Sequence, residues 1–141
     1  MSYLLYNPIS LSLAKTRRQI RILVADDEPL VRSALRLMFG TEPSMYVVAE
    51  AADRESLIAK LARHLIHILL LDWELPDLRP IELVQELHKE YPCLKVVALS
   101  TRPESHAEAL VAGVDVFVSK GDAPDALLAA LRSLAVGLNA G

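Results

Sequence analysis

From residue 20 to residue 137 the chain repeats one two-part pattern five times: a short run of Val, Ile and Leu, then a stretch with apolar residues at helical spacing. The runs IRILVA (20–25), MYVVAEA (45–51), HILLLD (67–72), LKVVALS (94–100) and VDVFVSK (114–120) read as strands. Between them, LVRSALRLMF places Val31, Ala34, Leu35 and Met38 on one face, with Gly40 as a stop. RESLIAKLARH turns Leu57, Ile58, Leu61 and Leu65 inward. IELVQELHKEY, opened by Pro80, places Ile81, Val84, Leu87 and His88 on one face. PESHAEALVAG ends at Gly113, and PDALLAALRSLAVG closes the series. Strands that alternate with helices demand crossover connections, and hence an α/β domain with a parallel sheet. Strands so continuously aliphatic are covered on both faces. The expectation is one doubly wound five-stranded domain over residues 20–136, with helices on both faces. Residues 1–19 read as a loosely ordered N-terminal extension and 137–141 as a tail.

At 141 residues the chain has room for one such unit. Its net charge of −3 carries no basic footprint, so no direct nucleic acid binding by this chain is expected. A single cysteine, Cys93, cannot build a disulfide framework, which suggests a cytoplasmic protein. No apolar run is long enough to span a membrane, so no membrane partner is expected. The opening MSYLLYNPISLSLAKTRRQ has its apolar residues first and its basic residues last, the reverse of a secretory signal.

In a doubly wound sheet the working site lies beyond the carboxyl ends of the strands. The first strand ends in Asp26 and Asp27, the third in Asp72, the fourth in Ser100 and Thr101, and the fifth in Lys120. Taken singly, each has a bland use: Asp26 or Asp27 can cap a helix, and Asp72 can make a turn before Pro76. Together at four strand ends they point to chemistry. Three clustered carboxylates repel one another unless a cation neutralises them, and an all-oxygen set suits Mg²⁺. A metal on Asp27 and Asp72, with Asp26 bound directly or through water, leaves an Asp72 oxygen as a nucleophile towards phosphorus. The Ser100 hydroxyl, the Lys120 ammonium and the backbone amides of Glu74 and Thr101 would balance the phosphoryl charge. His64 and His67 have the spacing of a metal pair but lie away from the carboxylates, and a structural role is expected of them.

These residues carry a family resemblance. VADDEP, LLLDWELP, VVALS and DVFVSK resemble the acidic pair, phosphoacceptor strand, hydroxyl and lysine of the receiver domain of two-component response regulators. The branch it resembles is often joined to a LuxR-type helix-turn-helix. The resemblance implies a flavodoxin-like sheet of order 2-1-3-4-5 and a phosphoprotein that is not a turnover enzyme. It implies Asp72 as phosphorylation site, and Mg²⁺ on Asp26, Asp27, Asp72 and the backbone carbonyl of Glu74. Ser100 and Lys120 would bind the phosphoryl group. Ser100 and Phe117 would form the switch, and Glu74 and Arg102, paired across the site, would tune phosphoryl lifetime. The implied phosphodonor is a histidine kinase or a histidine phosphotransfer protein.

In the last helix, Leu127, Leu131 and Leu134 suit the sheet, while Leu128, Ala129, Ala135 and Leu138 leave a second apolar face. A homodimer through this fifth helix with the first, or through the face formed by the last two helices and the strand between them, is therefore expected. Three rival readings accompany this one. The chain could be the receiver fragment of a DNA-binding transcriptional regulator, a degenerate receiver acting only as a constitutive interaction module, or a haloacid-dehalogenase-like phosphatase, whose strand-end nucleophile also has an acid two residues later.

Overall fold

A computed structural model describes residues 19–122 and 124–140 of the chain. The aliphatic runs form β1 (Ile20–Ala25), β2 (Met45–Ala51), β3 (Ile68–Asp72), β4 (Lys95–Ser100) and β5 (Val116–Ser119). All pair in parallel, in the order β2-β1-β3-β4-β5. Between them run α1 (Pro29–Phe39), α2 (Arg54–Arg63), α3 (Pro80–Glu90) and α4 (His106–Ala112), and α5 (Pro124–Ala140) follows β5. The order reverses beside β1, which opens a crevice at the carboxyl ends of β1, β3 and β4.

The strand period of two divides the core. Ile20, Ile22, Val24, Ile68, Leu70, Val97 and Leu99 pack with Leu35 and Phe39 of α1 and Leu127 and Leu131 of α5. Leu23, Ala25, Leu69, Leu71, Val96 and Ala98 pack on the other face with α2, α3 and α4. The central strands β1, β3 and β4 are therefore covered on both faces, which is why their sequences do not alternate with polar residues.

Local chemistry explains the helix ends. Asp53 accepts the Ser56 N–H at 2.7 Å while the Ser56 hydroxyl accepts from Asp53, a reciprocal cap that starts α2. Pro29 and Pro80 open α1 and α3, where the missing N–H costs nothing. Gly113 stops α4 at φ 104°, and a Cβ there would lie 3.2 Å from His88 Nδ1. That position requires glycine.

The helical stripes differ from the sequence reading in three places. Leu65 is 67% exposed because α2 ends at Arg63 and His64 is extended, which carries Leu65 out of the helix; Ile58, inside α2, is 39% exposed beside the buried Leu57 and Leu61. In α3 the inward stripe is Leu83, Val84 and Leu87, with Ile81 38% exposed. Of the second apolar face expected on α5, Ala135 is buried and Leu128 and Leu138 pack partly against the α1/α5 core. The helix runs through Ala140, into the segment expected as a tail. The expected extension lies, Gln19 aside, outside the described residues. No helix among the described residues is long and apolar enough to cross a membrane.

Candidate functional site

Backbone hydrogen bonds carry the sheet just past its strand ends and fix the residues found there. Asp26 N–H donates to the Ala51 carbonyl at 3.0 Å, Trp73 N–H to Leu99 at 2.7 Å and Lys120 N–H to Ser100 at 2.8 Å. Asp26, Asp72 and Ser100 are thereby held almost without solvent exposure, at 0%, 2% and 0%. They are the only buried polar or charged residues among those described. Burying carboxylates is costly unless they are paired and hydrogen-bonded, and here both conditions are met. Lys120 Nζ lies 2.8 Å from Asp26 Oδ2 and 3.2 Å from Asp72 Oδ1. The Glu28 N–H donates to Asp26 Oδ1 at 2.9 Å and the Glu74 N–H to Asp72 Oδ1 at 3.0 Å.

Asp26, Asp27 and Asp72 each offer an oxygen within 4.8 Å of the others, so the three carboxylates expected to hold a cation do converge. Asp26 and Asp72 are buried and Asp27 is exposed, giving the cluster a wet side. An all-oxygen set with water access fits a hard divalent ion. Burial, then the Asp26 charge, push the Asp72 carboxyl up to about 6; the Glu74 N–H and Lys120 offset this only in part. Burial alone would lower the Lys120 ammonium, but the hydrogen bond to Asp26 and the two carboxylate charges leave it above its ordinary value. The floor of the site is thus over-supplied with negative charge, which a second cation would relieve.

The β4 loop forms the wall. The Ser100 hydroxyl donates to Glu74 Oε2 at 2.6 Å and accepts the Arg102 N–H at 2.9 Å. Thr101 donates to Glu74 Oε1 through its N–H at 2.8 Å and its hydroxyl at 3.0 Å. Burial would raise the Glu74 carboxyl, but the Ser100 and Thr101 hydrogen bonds and the Lys120 charge hold it below its usual range. The expected pairing of Glu74 with Arg102 is therefore replaced. Ser100 and Thr101 reach the carboxylate, and Arg102 engages the Ser100 hydroxyl through its backbone.

Three supports escape the strand-end reading. Arg32 donates to the Asp26 carbonyl at 2.7 Å and pairs with Glu50 at 3.1 Å, while Arg36 also binds Glu50. The Arg32/Arg36 spacing of one helical turn opposite a strand-end glutamate was the available signal. Trp73, buried, donates its indole N–H to Glu108 of α4 at 3.1 Å. Phe117 stacks on His106, ring centroids 4.9 Å apart at 8°. His67 Nδ1 accepts the Arg21 N–H at 2.9 Å, a structural use rather than a metal site.

Residues 22–132 match the response regulator receiver domain family. The chain belongs to that family. The receiver domain is 32% identical over 118 residues to the transcriptional regulatory protein UhpA of Salmonella typhimurium, covering 84% of this chain and 60% of UhpA. It therefore spans only about three fifths of that relative's length. Among solved structures it superposes on the isolated REC domain of RcsB from Salmonella enterica serovar Typhimurium, determined with the phosphomimetic BeF3⁻. The TM-score is 0.79, with 26% identity over 85% of this chain and 91% of that one. It also superposes on RcsB bound to promoter rprA, with TM-score 0.76 and 27% identity over 83% of this chain and 60% of that one.

These likenesses bear out the receiver reading, and they correct one expectation. The denial of nucleic acid contact rested on a net charge of −3. The similar proteins are transcriptional regulators, and RcsB is seen on promoter DNA. Net charge describes the stretch over which it is summed. The matched relatives are longer than that stretch, so its acidity does not exclude DNA as a target.

Proposed function

We propose that Asp72 accepts a phosphoryl group from a phosphohistidine donor and that this controls the output of a transcriptional regulator. The supporting observation is the Asp72 carboxylate set between Asp26 and Lys120. Its Oδ1 is committed to Lys120 and the Glu74 N–H, which leaves Oδ2 to attack. The Asp72 oxygen forms a bond to phosphorus as the phosphorus–nitrogen bond breaks, and the imidazole leaves with the electron pair. Asp26, Asp27, Asp72 and the Glu74 carbonyl are the residues that would hold Mg²⁺. Bound there, the ion supplies positive charge for the phosphoryl oxygens. Lys120 stabilises the same oxygens from the β5 side, and the Ser100 hydroxyl and the backbone amides of Thr101 and Glu74 complete the cradle. The reaction modifies the protein itself rather than turning over a separate substrate. A cytoplasmic location accords with such a donor.

The output follows as a population shift, for which the phosphorylated state must hold the phosphoryl group better than the resting one. Ser100 moves to the phosphoryl oxygens, Phe117 leaves its stack on His106, and the α4-β5-α5 face or a dimer contact changes. Residues 74 and 102 both engage the Ser100 hydroxyl and so tune how long the phosphoryl group lasts. By likeness to the regulators above, promoter DNA is the proposed end point.

Trp73, next to Asp72 in sequence, is the reporter for the test. Its fluorescence is followed during titration with Mg²⁺ and then beryllium fluoride, in wild type and Asp72→Asn. A saturable Mg²⁺ response, followed by a second change that Asp72→Asn abolishes, is the expected result. Folded protein with neither response would sink the phosphoacceptor reading in favour of an interaction module that works unphosphorylated.

A further inference from the structure

Glu74 already occupies the partners that an incoming phosphoryl group needs. Its Oε2 takes the Ser100 hydroxyl at 2.6 Å, and its Oε1 takes the Thr101 N–H at 2.8 Å. These are the two β4-loop donors assigned above to the phosphoryl oxygens. The Thr101 hydroxyl adds a third bond at 3.0 Å. Each donor has one hydrogen, so neither can serve two anions at full strength. The Glu74 N–H is bonded to Asp72 Oδ1 at 3.0 Å, which tethers this carboxylate beside the phosphoacceptor.

We propose that the Glu74 carboxylate is a built-in place-holder for the phosphoryl group, filling the Ser100–Thr101 half of the cradle and leaving it when Asp72 is phosphorylated. The proposal rests on the phosphoacceptor reading of Asp72. An arriving phosphoryl group must break three hydrogen bonds to a carboxylate, and it brings its own negative charge to the side chain it displaces. The resting loop is thereby held by an anion that cannot signal, and the threshold for phosphorylation rises. Glu74 is in this sense a positioning residue, acting through Ser100 and Thr101. Its effect is opposite in sign to that of a supporting residue: removing it strengthens the binding of the phosphoryl mimic.

The test is a beryllium fluoride titration of the full chain at saturating Mg²⁺, read by Trp73 fluorescence. Glu74→Ala is expected to bind about tenfold more tightly than wild type, the scale of one lost charge-assisted competitor. Glu74→Gln, which keeps one acceptor oxygen and loses the charge and the other acceptor, falls between the two. Thr101→Ala keeps the N–H donor and frees only the third bond, so it gains roughly two- to threefold. In a Ser100→Ala background the gain from Glu74→Ala shrinks, because the contested donor is gone. Equal or weaker affinity in both Glu74→Ala and Thr101→Ala, with wild type binding and Asp72→Asn silent, overturns the place-holder and leaves the phosphoacceptor standing. A wild type that does not bind, or a response that survives Asp72→Asn, overturns the phosphoacceptor reading and the place-holder with it.

Discussion

The sheet backbone fixes Asp26, Asp72, Ser100 and Lys120 alike, but the side chains of Asp26, Asp72 and Lys120 meet across strand ends, whereas those of Ser100, Thr101 and Glu74 are bonded to one another at the β4 loop. The first group continues the strand parity of the α1/α5 face: Val24, Leu70 and Val118 are the buried residues two positions earlier. Backbone pairing puts these side chains where they are, and their partners follow. Ser100 continues the parity of Ala98 on the opposite face, where Phe117 and Trp73 also pack. From there the contacts run outward to α4, through Trp73 to Glu108 and through Phe117 to His106. The floor is thus a fixed electrostatic fitting, and the wall is a set of exchangeable side-chain bonds. Under the function proposed above, binding the same ion and phosphoryl group each time calls for the first, and a switch calls for the second.

The harshest test of that contrast is Lys120→Ala in metal-free protein. It leaves the buried Asp26 and Asp72 carboxylates without their ammonium, and a loss of about 3 kcal/mol in urea unfolding is expected. Mg²⁺ should restore most of it, since a second cation answers the same need. A loss below about 1 kcal/mol would put this pair in the class of surface ion pairs and end the description of a fixed floor.

A somewhat smaller effect comes from pH. With its carboxyl raised from 3.8 to about 6, Asp72 contributes stability that is fully present below 3.8 and lost as the pH rises through about 6. Asp72→Asn should therefore exceed metal-free wild type in stability by on the order of 2 kcal/mol above pH ~7, with the gain vanishing towards pH ~4. Unfolding curves for both proteins across that window decide it. A gain that did not vary with pH would show that Asp72 is not penalised by its surroundings.

On the other side, Glu108→Ala should cost about 1 kcal/mol, because the buried Trp73 indole N–H loses its acceptor. The more telling readout is spectroscopic. If Trp73 carries changes at Asp72 to α4, its emission should shift in the variant, and its response to beryllium fluoride should no longer be matched by altered hydrogen exchange in α4. Smallest of all is His106→Ala, at roughly 0.5 kcal/mol for one ring stack. Its use is to sharpen the contrast: freeing Phe117 should ease the switch and leave Mg²⁺ affinity unchanged. A change in Mg²⁺ affinity would mean that floor and wall are one unit.

The difference between these halves is also a difference in legibility. Asp26, Asp27, Asp72 and Lys120 were readable because a parallel sheet dictates where strand ends meet, and the strands announce themselves by aliphatic runs. Ser100 is readable on the same ground, and Phe117 as the switch aromatic only through the family resemblance. The Glu74–Arg102 pairing failed because sequence spacing does not say which of several nearby donors reaches a carboxylate first. Ser100 and Thr101 did. The same limit explains Ile58 and Ile81: helical period gives a stripe, but its width and phase are set by what the helix packs against. The expectation of no nucleic acid contact fails for another reason: a charge sum over one stretch does not describe relatives that are longer than it.

By itself, then, the sequence determined the α/β alternation, the glycine at 113 and the convergence of acid, hydroxyl and ammonium at one edge. Each of these follows from local chemistry or from the period of the backbone. Only the tertiary structure decided the partner of the Glu74 carboxylate, the reach of Trp73 to Glu108 and of Arg32 to the Asp26 carbonyl, and the narrowing of the apolar faces of α2 and α5. Those depend on which groups tertiary packing brings within reach, where a shift of an ångström or two changes which hydrogen bond is made.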